Sequence, residues 1–257
     1  LPIILWRKQT NAPNKFMGSG MLPSGAYATL EHEYILILRK GDRRRFNNDE
    51  AKTRRKSAFF WEERNLWFSD LWDIKGVRQL LPANDTRTRS AAFPLEIAHR
   101  LVNMYSLQGD MVLDPFLGTG TTVAACLLNG RNCIGFELST EFSPIIRRTV
   151  EAMGRMGKQL TAERLQAHLD FVNTYESRHG KRLSHSNQRY GFSVMTKQET
   201  ELELLGLDTV TEIGVQEKAN SERGSFSSPV STARLLFVAE HSPIGLDAVK
   251  WGIEEDM

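Results

Sequence analysis

Clusters of apolar residues divide the 257-residue chain into short strands and amphipathic helices. "IILWRK" (3–8) and "HEYILILRK" (32–40) each read as a buried strand, and the intervening "QTNAPNKFMGSGMLPSGAYATLE" is a loop rich in Gly, Pro, Ser and Asn. The pair predicts a hairpin of sheet edge strands. In "FFWEERNLWFSDLW" (59–72), Trp61, Trp67, Phe68 and Trp72 mix with charge at helical spacings, predicting a helix. After the turn-rich "LLPANDTRTRS", Phe93-Pro94 opens a helix over "LEIAHRLVNMYSL", with Pro94 suited to its first turn. A strand over 110–116, a helix over 121–129 closed by Gly130 and a strand over 132–138 then make a βαβ unit. Residues 141–157 and 161–178 predict two more helices, and "ARLLFVAEHSPIGLDAVKWGIEE" a final strand and helix. Between 206 and 232 the chain is polar, Ser-rich and weakly periodic, which predicts a mobile insertion.

Composition narrows this picture only slightly. A hydrophobic content of 40% supports one core, or one core with an appendage. No apolar run approaches the ~20 residues of a membrane span, and the N-terminal residues carry no export signal, so a cytoplasmic location is expected. Two cysteines, Cys126 and Cys133, are too few for a disulfide scaffold and lack metal-ligand spacing; both read as small buried residues. The formal charge of +2 is unevenly spread. Nine Lys or Arg residues lie between Arg39 and Lys56, against Asp42, Asp49 and Glu50, so the remainder is net acidic.

The chemistry concentrates in "LDPFLGTGTT" (113–122), where a glycine turn, Gly118-Thr119-Gly120, follows a strand and precedes a helix. Ligands of open α/β sheets bind beyond such strand ends, although tight packing alone also produces this pattern. Glu137 ends the second strand, 23 residues after Asp114, where a carboxylate can accept both hydroxyls of a ribose. A dinucleotide fingerprint needs a third glycine where this chain has Val123, and a phosphate-binding P-loop needs Gly-Lys-Ser/Thr where it has Gly120-Thr121-Thr122. Asp114 would repel a pyrophosphate by on the order of several kcal/mol. S-adenosyl-L-methionine carries a sulfonium and an ammonium instead, and a strand-end carboxylate favours both. The turn then serves close backbone approach, and Glu137 the ribose.

"DPFLGTGTT" resembles the cofactor motif of the amino-directed DNA methyltransferases, which methylate an exocyclic nitrogen of cytosine or adenine. "RSAAFPLEIAHRLVNMYS" resembles the segment preceding that motif in the circularly permuted members, whose order is catalytic half, target-recognition segment, cofactor half. "ILWRKQTNAPNKFMGSGMLP", "LEHEYILILRKG" and "FFWEERNLWFSDLW" are similar to strands, loop and recognition region of that group, and "HLDFVNTYESRHG" with "RYGFSVMTKQETELELL" to its C-terminal extension. The likeness covers most of the chain. It implies a Rossmann-like S-adenosylmethionine-dependent methyltransferase fold of the α/β class, an incomplete seven-stranded sheet with an inserted recognition segment. The implied division is 1–40 for the end of the catalytic half, 41–89 for target recognition, 90–160 for cofactor binding and 161–257 for the extension.

The resemblance implies cofactor contacts from Asp114, Pro115, Phe116, Gly118, Thr119, Gly120, Thr121, Thr122 and Glu137, with Phe93 and Pro94 against the methionine end. For double-stranded DNA, Arg43, Arg44, Arg45, Lys52, Arg54, Arg55 and Lys56 are phosphate-contact candidates; a solvated charged loop is the alternative. One departure stands out. The family's catalytic tetrapeptide, Ser/Asp/Asn-Pro-Pro-aromatic, is absent: the nine prolines include no Pro-Pro pair. In the permuted order it belongs upstream of residue 3, and the chain opens on Leu1 rather than methionine. The expectation is that a catalytic portion of about a hundred residues is missing, or is carried by a partner subunit. Cytosine is slightly favoured over adenine as the target. The rival from another class is a DNA-binding, cofactor-sensing protein without activity.

Overall fold

The computed structural model describes residues 2–8, 31–76, 93–219 and 231–245. Three short strands, β1 (Ile4–Arg7), β2 (His32–Ile35) and β3 (Leu71–Asp73), form one sheet in the order β2-β1-β3. β1 runs antiparallel to β2, with Ile4 opposite Ile35, and parallel to β3, with Leu5 opposite Leu71. The expected hairpin exists, but β1 lies in the middle of the sheet rather than at its edge. The third strand was hidden inside the helix expected over 59–72, which ends early: α2 covers Trp61–Trp67, and the chain then turns at Ser69 into β3. Trp72 is buried because it points inward from that strand. The loop over 9–30 lies outside the described residues.

The second half of the basic segment also differs from a charged loop, whereas residues 39–47 form neither helix nor strand. Residues Asn48–Lys56 form a helix, α1, started by a capping box in which Asn47 Oδ1 accepts from Glu50 N and Glu50 Oε2 accepts from Asn47 N. Acidic Asp49 and Glu50 sit in its first turn and Arg54, Arg55 and Lys56 in its last, each favourably placed in the helix dipole. It buries no residue, so no apolar stripe marks it in the sequence.

Helix α3 (Leu95–Tyr105) begins after Pro94, which is its N-cap rather than part of its first turn. The βαβ unit follows: β4 (Met111–Asp114), α4 (Thr121–Leu128) and a parallel β5 (Asn132–Gly135), with Asp114 opposite Gly135. Both strands are shorter than expected and are not fully buried. α3 connects the two sheets. Its Ile97, Leu101 and Met104 pack on Ile4, Trp6 and Trp72, while Ala98 and Val102 pack with Ala125, Cys126, Val112 and Cys133. Helices thus cover one face of both sheets. On the other face, Met111 and Leu113 are 59% and 60% exposed, and Leu71, Ile134 and Phe136 are also open, although parallel strands are ordinarily covered on both faces.

The two helices expected over 141–157 and 161–178 are one 37-residue helix, α5 (Ser143–His179). The expected gap between 157 and 161 does not exist, and Gly157 is a point of close packing: a Cβ there would lie 3.1 Å from the Cβ of Leu207. Beyond α5 come two-residue strands β6 (His185–Ser186) and β7 (Ser193–Val194), then an antiparallel ribbon of β8 (Leu205–Ala219) and β9 (Ser231–Pro243). The ribbon replaces most of the mobile insertion expected over 206–232, and the final helix falls outside the described residues. Leu207 and Val210 of β8 pack with Ala124, Leu127, Leu128, Ile146, Val150 and Met153. Cys126 is buried and Cys133 half-buried. No described helix is long and apolar enough to cross a membrane.

A polar network ties α3 to α4. Asn103 Nδ2 donates to the His99 carbonyl (2.9 Å) and to Asn129 Oδ1 (2.8 Å), and Asn129 Nδ2 lies 3.1 Å from His99 Nδ1. Burial first, then the guanidinium groups of Arg164, Arg131 and Arg100, push His99 down from 6.5 to about 3. A histidine depressed by folding contributes stability that is complete above about pH 6.5 and is lost as pH falls toward 3, by up to ~1.4 kcal/mol per pH unit. Urea titrations between pH 7.5 and 4.5 will show this decline, and H99Q will flatten it. The glycines of α5 give a second check. G154A, at a position with open space, will stabilise the chain by about 0.5–1 kcal/mol, and G157A, crowded by Leu207, will be less stable than G154A in the same titration.

Candidate ligand site at the glycine turn

The site is built by the parallel register of β4 and β5. Asp114 ends one strand and Gly135 lies beside it, so Glu137, two residues on, reaches back across the turn 115–120. Leu117 N donates to the Phe136 carbonyl and Phe136 N to the Asp114 carbonyl (both 2.8 Å), extending the pairing past the strand ends. Gly135 lets Leu117 lie close, because a Cβ would meet the end of the Leu117 side chain at 2.5 Å and force it to shift. Gly118 (φ 55°) and Gly120 (φ 85°) adopt left-handed conformations, and Gly120 is the N-cap of α4. Thr149 of α5 donates to the Thr119 carbonyl at 2.8 Å and anchors the turn from behind.

Both carboxylates already receive protein donors. Asp114 Oδ1 accepts from Phe116 N (2.9 Å) and Oδ2 from Thr122 Oγ1 (2.5 Å). Glu137 Oε2 accepts from Gly118 N (2.7 Å) and Oε1 from Ser139 N (3.0 Å). Gly120 N donates to the Leu117 carbonyl at 3.0 Å. The N–H groups that a phosphate loop would present at Phe116, Leu117, Gly118 and Gly120 are therefore turned to internal acceptors, two of them carboxylates. This arrangement disfavours an oxyanion. Each carboxylate oxygen retains acceptor capacity for a hydroxyl or a cation.

The expected site residues are brought together unevenly. Asp114, Pro115, Phe116, Gly118, Thr119, Gly120, Thr121, Thr122 and Glu137 lie together at the carboxyl ends of β4 and β5 and the start of α4. Phe93 packs into the clusters beneath α3, beside Trp6 and Ala98, and Pro94 is buried at the start of α3. Phe116, an expected site residue, is 88% exposed at the turn; sequence reasoning missed Phe136 and Leu138, which flank Glu137 in exposed positions. Their alternation with Glu137 just past β5 was the available signal. Of the basic candidates, Arg44 pairs with Asp110 (2.6 Å) and Glu50 (3.1 Å), Arg55 with Glu201 (2.8 Å) and Lys56 with Glu203 (3.3 Å). Burial alone would raise the Asp110 carboxyl, but the Arg44 guanidinium and the Leu107 N–H together hold it below the usual range. Arg43, Arg45, Lys52 and Arg54 are exposed and have no salt-bridge partner among the described residues.

Fold and turn place the chain in the open α/β class whose ligands sit beyond the carboxyl ends of the strands. A family model described as DNA methylase, of the N6/N4 type, matches residues 1–148. The chain belongs to that family. It is 50% identical over 206 residues to the type II methyltransferase M.MthZI of Methanothermobacter thermautotrophicus, covering 79% of this chain and 56% of that protein. It is 51% identical over 150 residues to the type II methyltransferase M.MjaI of Methanocaldococcus jannaschii, covering 58% of this chain and 48% of that protein. The chain thus spans about half the length of these curated relatives. A solved protein of Thermus thermophilus, assigned as a DNA modification methylase and complexed with S-adenosyl-L-methionine, is 36% identical over 59% of this chain and 53% of its own, with a TM-score of 0.45.

Proposed function

We propose that the chain is the cofactor-binding and DNA-recognising part of a site-specific DNA methyltransferase, which transfers methyl from S-adenosyl-L-methionine to an exocyclic amino nitrogen of a flipped base. The observation that carries this reading is the turn flanked by two carboxylates, whose N–H groups already bond internal acceptors. Such a turn repels phosphate and attracts a sulfonium and an ammonium. In this reading Glu137 accepts from the ribose, and Asp114 favours the cationic methionyl portion. Gly118, Thr119 and Gly120 admit the ligand to backbone distance, beside Pro115 and the N-terminus of α4 at Thr121 and Thr122. Phe116 and Leu138 supply apolar surface to the adenine ring. Phe93 and Pro94 act through α3, whose first turn they fix.

Transfer itself forms a nitrogen–carbon bond as the carbon–sulfur bond breaks. The sulfonium becomes a neutral thioether, and the amino nitrogen gives up a proton to solvent. No covalent enzyme intermediate is needed, so the contribution of the protein is orientation and a dry, correctly charged pocket. The group that orients the amino nitrogen, Ser/Asp/Asn-Pro-Pro-aromatic, is not among the residues of this chain. Its source in this reading is a further polypeptide, covalently joined or separate, that packs on the bare face formed by Leu71, Met111, Leu113, Ile134 and Phe136. Cytosine is the slightly favoured target. The missing tetrapeptide also supports a second reading, a DNA-binding, cofactor-sensing protein without activity.

Radiolabelled methyl transfer to double-stranded DNA tests both readings. Incubation with a polypeptide that carries a Ser/Asp/Asn-Pro-Pro-aromatic tetrapeptide will give methylated DNA, the chain alone will give none, and D114N will lower transfer by about tenfold or more. Binding of both ligands without transfer in any mixture favours the second reading. Failure to bind S-adenosylmethionine overturns both.

A further inference from the structure

The family model ends at residue 148, leaving most of α5 and the strands after it outside the match. Between Thr161 and Leu204, a set of their contacts reaches the α1–α2 segment. Phe60 is buried in a cluster with Ala162, Leu165, Tyr190, Leu202, Leu204 and Ile244. Glu199, itself buried, accepts from Trp61 N at the start of α2 (2.8 Å) and from Thr196 N (2.7 Å). His168 has no exposed side-chain surface; it stacks on Phe60 with ring centroids 3.8 Å apart and places its two nitrogens against Glu62 Oε1 (2.7 Å) and the Ser193 carbonyl (3.2 Å). Arg164 holds Glu63 through two hydrogen bonds of 2.5 and 2.8 Å. Glu201 and Glu203 take Arg55 and Lys56, and Glu203 N donates to the Lys56 carbonyl at 3.0 Å.

These bonds divide the basic segment by function. Arg44 turns toward Asp110, and Phe46 is half-buried beneath the guanidinium groups of Arg44 and Arg54, at 5.3 and 4.7 Å. Arg43 and Arg45, the alternate residues, face solvent, as do Lys52 and Arg54. Resting on the DNA-methyltransferase reading, we infer that the region from Thr161 to Leu204 is a positioning module that holds the α1–α2 segment against DNA. Arg43, Arg45, Lys52 and Arg54 contact phosphates, whereas Arg44, Arg55 and Lys56 tie the segment to the protein. A cation already neutralised by a fixed carboxylate releases few counterions on binding, so it adds little to the salt dependence.

Fluorescence anisotropy of a labelled duplex, titrated with the full chain between about 50 and 300 mM salt, reads this division as the slope of log affinity against log salt. R43Q/R45Q will make the slope shallower by about two. R55Q/K56Q will leave the slope unchanged and lower the thermal midpoint. E199A, which removes the acceptor for Trp61 N, will weaken DNA binding about tenfold while calorimetry finds S-adenosylmethionine affinity unchanged. Equal slope changes in the two double variants overturn the division. Parallel loss of DNA and cofactor binding in E199A overturns the positioning role; should E199A not fold, the surface pair R55Q/K56Q still decides the division. Absence of DNA binding by the unaltered chain instead overturns the DNA-methyltransferase reading on which both rest.

Discussion

Asp114 lies opposite Gly135 in a parallel strand pair, and most of what the site can do follows from that register. It brings Glu137 within reach of the Gly118 N–H and lets Leu117 and Phe136 continue the backbone pairing into the turn. The turn is held open by two left-handed glycines yet closed to anions by its own carboxylates. A strand end that would cradle phosphate with free N–H groups is converted into an acceptor site by two side chains. Thr122 and Thr149 fix it from the α4 and α5 sides, so its geometry exists before any ligand arrives.

The remainder of the α/β layer is one-sided. α3 spans both sheets, burying Ile97 against the first and Ala98 with Val102 against α4 and the second. The opposite face carries side chains of core character in exposed positions. Burial of that face would add apolar stabilisation at about 25 cal/mol per Å², which makes it the natural seat for the polypeptide that completes the catalytic centre in the proposed reading. The C-terminal region uses a different strategy. Its buried carboxylate Glu199 and the His168–Glu62 pair are polar ties that specify one orientation of α2, where an apolar contact alone would permit sliding.

Legibility in the sequence followed the strength of local signals. The βαβ unit was readable because Gly118, Gly120 and Gly130 punctuate it and its apolar runs are continuous. α1 was not, because a helix with no buried residue has no period to detect; only the Asn47–Glu50 spacing marked it. β3 was concealed by Trp61, Phe68 and Trp72, whose spacings of seven and four imitate one helical face although Phe68 caps the end of a helix and Trp72 lies in a strand. α5 was expected as two helices parted between 157 and 161, since the packing of Gly157 against Leu207 is a long-range requirement that local propensity does not contain. At the site, the types and spacing of Asp114 and Glu137 were visible, but the engagement of the turn's N–H groups was not. In the proposed reading, that engagement sets the sign of the ligand's charge.

The most direct measurement of this central point is calorimetric titration of the purified chain with S-adenosylmethionine and, separately, with ATP under identical conditions. The account predicts saturable heat with the sulfonium ligand and none with the triphosphate. Saturable binding of ATP, with no heat from S-adenosylmethionine, would contradict it.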